Sequence, residues 1–175
     1  KEQLEKIDIL ILNHGIYDVN KKNSNYENSI EINALSKFKF LTLFEEIAIK
    51  NNSQVAKEIW INTSEAEILP AFNPSYEISK SLIGKLVSFK KNLLDENAEK
   101  KLKIKKIILG PFKSELNPIG IMSPEFVSKN IYNFASLNIF LIIISPNPLS
   151  YILFPIKEFY YFLYCKLLKI LKSNP

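Results

Sequence analysis

Four short apolar runs limit what this chain can fold into. Residues 7–12 (IDILIL), 59–61 (IWI), 104–109 (IKKIIL) and 139–144 (IFLIII) are rich in isoleucine and do not alternate strictly with polar residues. Such runs suit strands buried on both faces of a parallel sheet rather than strands with one wet face. Helical stretches separate them. Between residues 29 and 50, Ile32, Leu35, Phe38, Leu41, Phe44 and Ala48 recur at three and four, the pattern of one buried helical face. A second helix runs from Tyr76 to about Asn92, and a third opens at Ser123-Pro124-Glu125, with serine as cap and proline in the first turn. Residues 95–103 are charged and read as a solvated connection. Strand-helix repetition predicts an α/β, doubly wound parallel sheet with helices on both faces. Loops leaving its strands gather along one edge, where open α/β sheets bind ligands.

The loop after the second run carries the chemistry. Ile59-Trp60-Ile61 ends in Asn62-Thr63-Ser64, a segment broken by Pro70 and Pro74 follows, and the helix then brings in Tyr76 and Lys80. Residues four apart share one helical face. A tyrosine in that position can give or take a proton, and a neighbouring ammonium lowers a phenol from its ordinary value of about 10. The Ser64 hydroxyl can hold a substrate oxygen. The spacing alone is weak, because Tyr17 and Lys21 repeat it within a polar run that no serine-ended strand precedes.

With Ser64 twelve positions before Tyr76 and Ser79 in a small-residue slot before Lys80, this segment resembles the active-site motif of the short-chain dehydrogenase/reductase family. There a strand of the form hhhNxSS precedes Y-x-x-[SA]-K. Three further matches occur in family order. Asn13 and Gly15 resemble the N-N-A-G turn, although Leu12 and His14 depart from it. Asn33 matches a helical asparagine that bends its helix, and Gly110 and Ser114 match P-G-x-x-x-T, with Leu109 in place of the proline and Pro111 added. The resemblance covers roughly residues 5–145. It implies a partial Rossmann-type sheet, the fourth to seventh strands of the family, and a reaction interconverting a hydroxyl and a carbonyl on a small-molecule substrate with NAD or NADP. Catalytic roles would fall to Asn33, Ser64, Tyr76 and Lys80, and cofactor contacts to Asn13, Gly15, Tyr76, Lys80, Gly110 and Ser114. No metal is implied, and the lone histidine, His14, lies outside the family's acid-base set.

More narrowly, the strings NHGI, NTSEAE and LGPFKS resemble the cyanobacterial group labelled bifunctional sterol desaturase/short-chain dehydrogenase, which implies a lipid-like substrate. The family's glycine-rich turn, T-G-x-x-x-G-x-G, has no counterpart among the four glycines. A separate nucleotide-binding half is therefore an expected partner, and by itself the chain is expected to bind no NAD or NADP measurably. It is also expected to associate with a second copy through the edge of its first strand. The alternative function is a non-catalytic, membrane-associated scaffold that keeps the fold.

Composition excludes other classes. The 23 basic residues, all lysine, are scattered among 18 acids, with no aromatic-basic motif for nucleic acid. One cysteine and one histidine leave no internal disulfide and no zinc cluster. No signal peptide opens the chain, so a cytoplasmic location is expected. Residues 146–175 form an apolar tail distinct from residues 1–145. On a helix Ile156, Phe159, Tyr160, Leu163, Leu167 and Ile170 share one face, with Lys157, Glu158, Lys169 and Lys172 opposite. The lysines make a membrane-crossing segment unlikely to form. Two arrangements stay open: an interfacial amphipathic helix at a membrane surface, or a helix packed on the sheet or on another subunit.

Overall fold

The computed structural model describes residues 2–17, 25–51, 53 and 55–173. Helix α1 (Glu2–Glu5) leads into strand β1 (Ile9–Leu12). Helix α2 (Tyr26–Ile30) passes through a π-helical turn (Glu31–Leu35) into α3 (Ser36–Lys50). Strand β2 (Lys57–Asn62) ends in a 3-10 turn (Glu65–Glu67), and helix α4 (Pro74–Leu93) follows. Helix α5 (Glu96–Lys101), strand β3 (Leu102–Leu109), helix α6 (Pro124–Ala135), strand β4 (Leu141–Ile144) and helix α7 (Ser150–Ser173) complete the order. Side-chain caps start the helices where the sequence supplies them. Asn73 accepts from the Tyr76 amide at 3.1 Å with Pro74 in the first turn, and Ser123 accepts from the Phe126 amide at 3.1 Å.

All four strands are parallel, in the order β1-β2-β3-β4, with Ile11 opposite Trp60, Ile59 opposite Ile104, and Ile107 opposite Ile142. Alternate side chains enter two cores. Ile59, Ile61 and Ile104 meet Leu41 and Phe44 of α3 and Ile83 and Val87 of α4 on one face. Trp60, Ile107 and Ile142 meet Val127 and Ala135 of α6 on the other. The doubly wound α/β layering expected from the strand-helix pattern is present. Among the described residues β1 is a sheet edge, and its Ile9 and Ile11 are about half exposed.

Three local readings change. The charged connection at residues 95–103 is helix α5 and the start of β3, because Asp95 caps the helix by accepting from the Ala98 amide at 2.7 Å. In the long helix the buried positions are Asn33, Ala34, Lys37, Leu41, Phe44, Glu45, Ile47 and Ala48, while Leu35 is exposed and Ile32 and Phe38 are only partly buried. The π turn holds an extra residue per turn, which rotates the first part of the stripe away from a simple three-four count. Helix α7 forms over the tail and resolves the alternative left open there, since the face shared by Ile156, Phe159 and Leu163 is not the one packed on the protein. Phe154, Glu158, Tyr161 and Cys165 point inward toward α4, and Ile156, Phe159, Tyr160, Leu163 and Leu167 are about half exposed or more.

A buried cation explains how α7 is held. Lys106, in the middle of β3, is fully buried, and its Nζ lies 2.9 Å from Glu67 Oε2, 2.7 Å from Glu158 Oε1 and 3.0 Å from the Gly84 carbonyl. Lys157 reaches the same Glu67 oxygen at 2.7 Å. Burial pulls the Lys106 ammonium down, but Glu67 and Glu158 outweigh it and hold the group above its ordinary value. Burial likewise works against the Glu67 carboxylate, and Lys106 and Lys157 more than offset it, so Glu67 lies below the usual range. Gly84 makes room: a Cβ there would meet Glu67 Oε2 at 1.9 Å. The network joins β3, the turn after β2, α4 and α7.

Removing one member of a buried ion pair strands the others. Lys106→Met is expected to lower unfolding free energy by about 3–5 kcal/mol, read from urea denaturation. A loss below about 1 kcal/mol, the size of an exposed pair, would contradict this role.

Candidate active site

The loops leaving β1, β2 and β3 enclose a cavity of about 720 Å³. Strand β2 ends at Asn62, whose side chain donates to Asn13 Oδ1 at 2.6 Å and so ties its own end to that of β1. Two residues on, Ser64 caps the 3-10 turn by accepting from the Ala66 amide at 3.2 Å, and its hydroxyl also acts on the Tyr76 phenol, favouring the charged form. Helix α4 presents Tyr76 and, one turn later, Lys80, whose Nζ lies 5.2 Å from the centre of the Tyr76 ring. Ser64, Tyr76 and Lys80 all line the cavity, as do Asn13, Gly15, Gly110 and Ser114.

Asn33 lies beneath the wall, fully buried inside the π turn. Its Oδ1 accepts from the Ile16 amide at 2.8 Å, and its Nδ2 donates to the Ile16 carbonyl and to Ser79 Oγ, each at 3.0 Å. An asparagine that is unfavourable in a regular helix thus joins the loop after β1 to helix α4. Gly15 is required by that closeness: a Cβ would meet Asn33 Oδ1 at 2.9 Å.

Charge in the cavity differs from the sequence expectation. Burial pushes the Tyr76 phenol up from its ordinary value, and the Ser64 hydroxyl only partly reverses this. The expected lowering by Lys80 is overturned, because burial also pulls Lys80 down to about 8, with the Glu67 charge offsetting only part of that. Tyr76 therefore carries its proton at neutral pH.

Two cavity residues escaped the sequence reading. Tyr17 was set aside as half of a chance repeat, yet its ring meets Tyr76 edge to face at 5.1 Å, and its hydroxyl donates to the Ala71 carbonyl at 3.4 Å. Its companion Lys21 lies outside the described residues. Lys37 is fully buried and donates to the Asn62 carbonyl at 2.7 Å. Burial, then the charge of Lys80, lower Lys37 to about 6. The signal available in sequence was a lysine four residues before Leu41, on the stripe that runs into the core. His14 bonds Ser36 Oγ at 2.7 Å and is lowered by burial and by Lys37 and Lys80.

The cavity fits the nicotinamide end of a dinucleotide on two observations. The turns at Gly15 and Gly110 bring backbone to its wall, and Asn62 Oδ1 is buried with no partner among the described residues. A volume near 720 Å³ falls in the range of small-molecule sites.

No family model matches the chain. It is 40% identical over 165 residues to monoglucosyldiacylglycerol epimerase from Synechocystis sp.. That alignment takes in 94% of this chain and 39% of the epimerase, so the chain spans about two-fifths of the length of this curated relative. Its structure is similar to a short-chain dehydrogenase from Sphingobium yanoikuyae in complex with NADPH, with a TM-score of 0.69 at 14% identity, over 99% of this chain and 69% of that one. An alcohol dehydrogenase from Comamonas testosteroni gives a TM-score of 0.69 at 14% identity, over 99% and 67% of the two chains. A 4-hydroxyisoleucine dehydrogenase complexed with NADH gives 0.62 to 0.63 at about 16% identity, over 82% and 69%. The chain has the Rossmann-type fold of these dehydrogenases, from their fourth to seventh strands, followed by a long C-terminal helix. The relative's name is that of an epimerase, where the sequence strings pointed to a desaturase-dehydrogenase label.

Lys37 gives the site a pH signature. The unfolded chain keeps this proton to about pH 10.5, whereas the folded chain keeps it only to about 6. Unfolding takes up a proton between those values, so stability is highest above the window and falls as pH drops through it. Lys37→Met is expected to raise the midpoint of thermal unfolding at pH 7 and to flatten its dependence on pH between 6 and 8. Equal slopes in wild type and variant would contradict the assignment.

Proposed function

We propose that this chain is the catalytic portion of a short-chain dehydrogenase/reductase that uses NAD or NADP to invert a carbinol carbon in the sugar of a glycolipid. The observation that carries the reading is that Ser64, Tyr76 and Lys80 line one cavity, with Lys80 Nζ 5.2 Å from the centre of the Tyr76 ring and the Ser64 hydroxyl acting on the phenol. The identity to a glycolipid epimerase supports the substrate class. So does the apolar rim, where Phe72 and Ile119 are each 90% exposed.

Inversion by oxidation and reduction balances without net redox change. The carbinol C–H and O–H bonds break, giving a ketone, a hydride and a proton, and the hydride returns to the opposite face of the same carbon. The dinucleotide, when bound, supplies the hydride acceptor and then the donor. Tyr76 relays the proton, taking it from the hydroxyl as its own phenolic proton leaves toward solvent and giving one back to the ketone oxygen, which Ser64 positions. Lys80 holds the ribose beside Tyr76, and Asn33 keeps the loop after β1 fixed to α4. Asn13, Gly15, Gly110 and Ser114 form the nicotinamide side of the cavity. The phosphates fall to a nucleotide-binding half that pairs with the apolar edge of β1.

The test uses this chain joined to that half, with monoglucosyldiacylglycerol in mixed micelles as substrate. Tyr76→Phe is expected to lower turnover by about 10²–10⁴, the range for general acid-base groups, with little change in substrate affinity. Tyr17→Phe, which keeps its ring against Tyr76, should leave turnover nearly unchanged. The sugar product should be inverted while the dinucleotide absorbance shows no net change. Steady net reduction of the dinucleotide would identify a simple dehydrogenase, and an active Tyr76→Phe would refute the assignment.

A further inference from the structure

Helix α7 turns its charges inward and its apolar residues outward. Glu158 is 8% exposed and bound to Lys106, and Lys157 is bound to Glu67, so both nearest charges are consumed by the protein's own core. Ile156 and Tyr160 are 62% exposed, Phe159 60%, Leu167 54% and Leu163 48%. A helix whose only role was to cover the sheet would bury these side chains, since each gains about 1.5–3 kcal/mol by leaving water.

We infer that the outer face of α7 is a docking surface for an anionic lipid bilayer, on which the helix lies parallel to the membrane plane. Charge selects this occupant. Lys166 is exposed on the flank of this face, one turn from Phe162, and Lys172 is exposed near the end of the helix; neither has a carboxylate on α7, because Glu158 is the sole acid of the helix. Pairing with the same face of a second copy would bring lysines together without counter-charge, whereas anionic headgroups supply it. Aromatic rings at residues 159, 160, 162 and 164 suit the headgroup region. Among the described residues no helix is long and apolar enough to cross a membrane, so α7 lies on the bilayer rather than through it.

The helix is also continuous with the cavity. Asn147 lines the cavity three residues before α7 begins, and the Ser145 and Ser150 hydroxyls both bond Glu65 Oε1 on its wall. The N-terminal end of α7 is therefore anchored to the cavity wall. This surface stands on the helix alone and does not depend on the reaction proposed above.

The test is co-sedimentation of the full chain with phosphatidylcholine vesicles containing a minority of phosphatidylglycerol. Wild type is expected to sediment with them. Phe159→Ser and Leu163→Ser, both exposed and so neutral to folding by circular dichroism, should each weaken binding on the order of tenfold. Lys166→Gln with Lys172→Gln should weaken it further and remove most of its salt dependence. Light scattering runs in parallel. A chain that ignores vesicles overturns the inference, whether it is monomeric or forms a dimer that Phe159→Ser dissociates. So does binding that the four variants leave unchanged.

Discussion

The Lys106 ammonium, buried in the centre of the sheet, is the interaction on which the remaining architecture depends. A single charge at that depth is tolerated only when paired and hydrogen-bonded, and Glu67 and Glu158 supply the pair. Glu67 belongs to the turn that starts at Ser64, and Glu158 belongs to α7. Satisfying one lysine therefore fixes the loop that carries Ser64 and determines which side of α7 faces the protein. The exposed apolar face of that helix follows from the same constraint, since a helix that must give Glu158 to the core cannot also turn Phe159 and Leu163 inward.

The site is built on a similar economy of charge. Lys37 and Lys80 share one cavity wall, and burial lowers both. Only Glu67 is near enough to offset the shift at Lys80, which keeps that residue the more basic of the two. Tyr76, raised by burial and braced by Ser64, holds its proton until a reacting oxygen takes it. Asn33 uses both of its donors and its oxygen on Ile16 and Ser79, so it fixes the loop after β1 to α4.

Much of this was legible from local pattern. Continuous apolar runs gave the parallel sheet, because both faces of such strands are covered. Ser64, Tyr76 and Lys80 were readable because a strand end and one helical turn have fixed geometry. What failed was the sign of the electrostatic effect at Tyr76, and the facing of the tail helix stayed open. The pattern at 156–170 is amphipathic in sequence, but which side meets the protein is decided by Lys106, about fifty residues earlier. Lys37 and Tyr17 could not be recognised because burial depends on the π turn and on a loop contact distant in sequence. Lowering of Tyr76 was expected from its neighbour, and desolvation, invisible in a spacing, outweighed it.

The central claim is that the Ser64 hydroxyl and the Tyr76 phenol act on each other as one acid-base unit inside the cavity. Titration of Tyr76 by NMR of ring-labelled protein, in wild type and in Ser64→Ala, measures this directly. The account predicts that Tyr76 titrates above the ordinary tyrosine value in the wild type and moves higher still when the serine hydroxyl is removed. A Tyr76 that titrates at the ordinary value, with no response to Ser64→Ala, would contradict it.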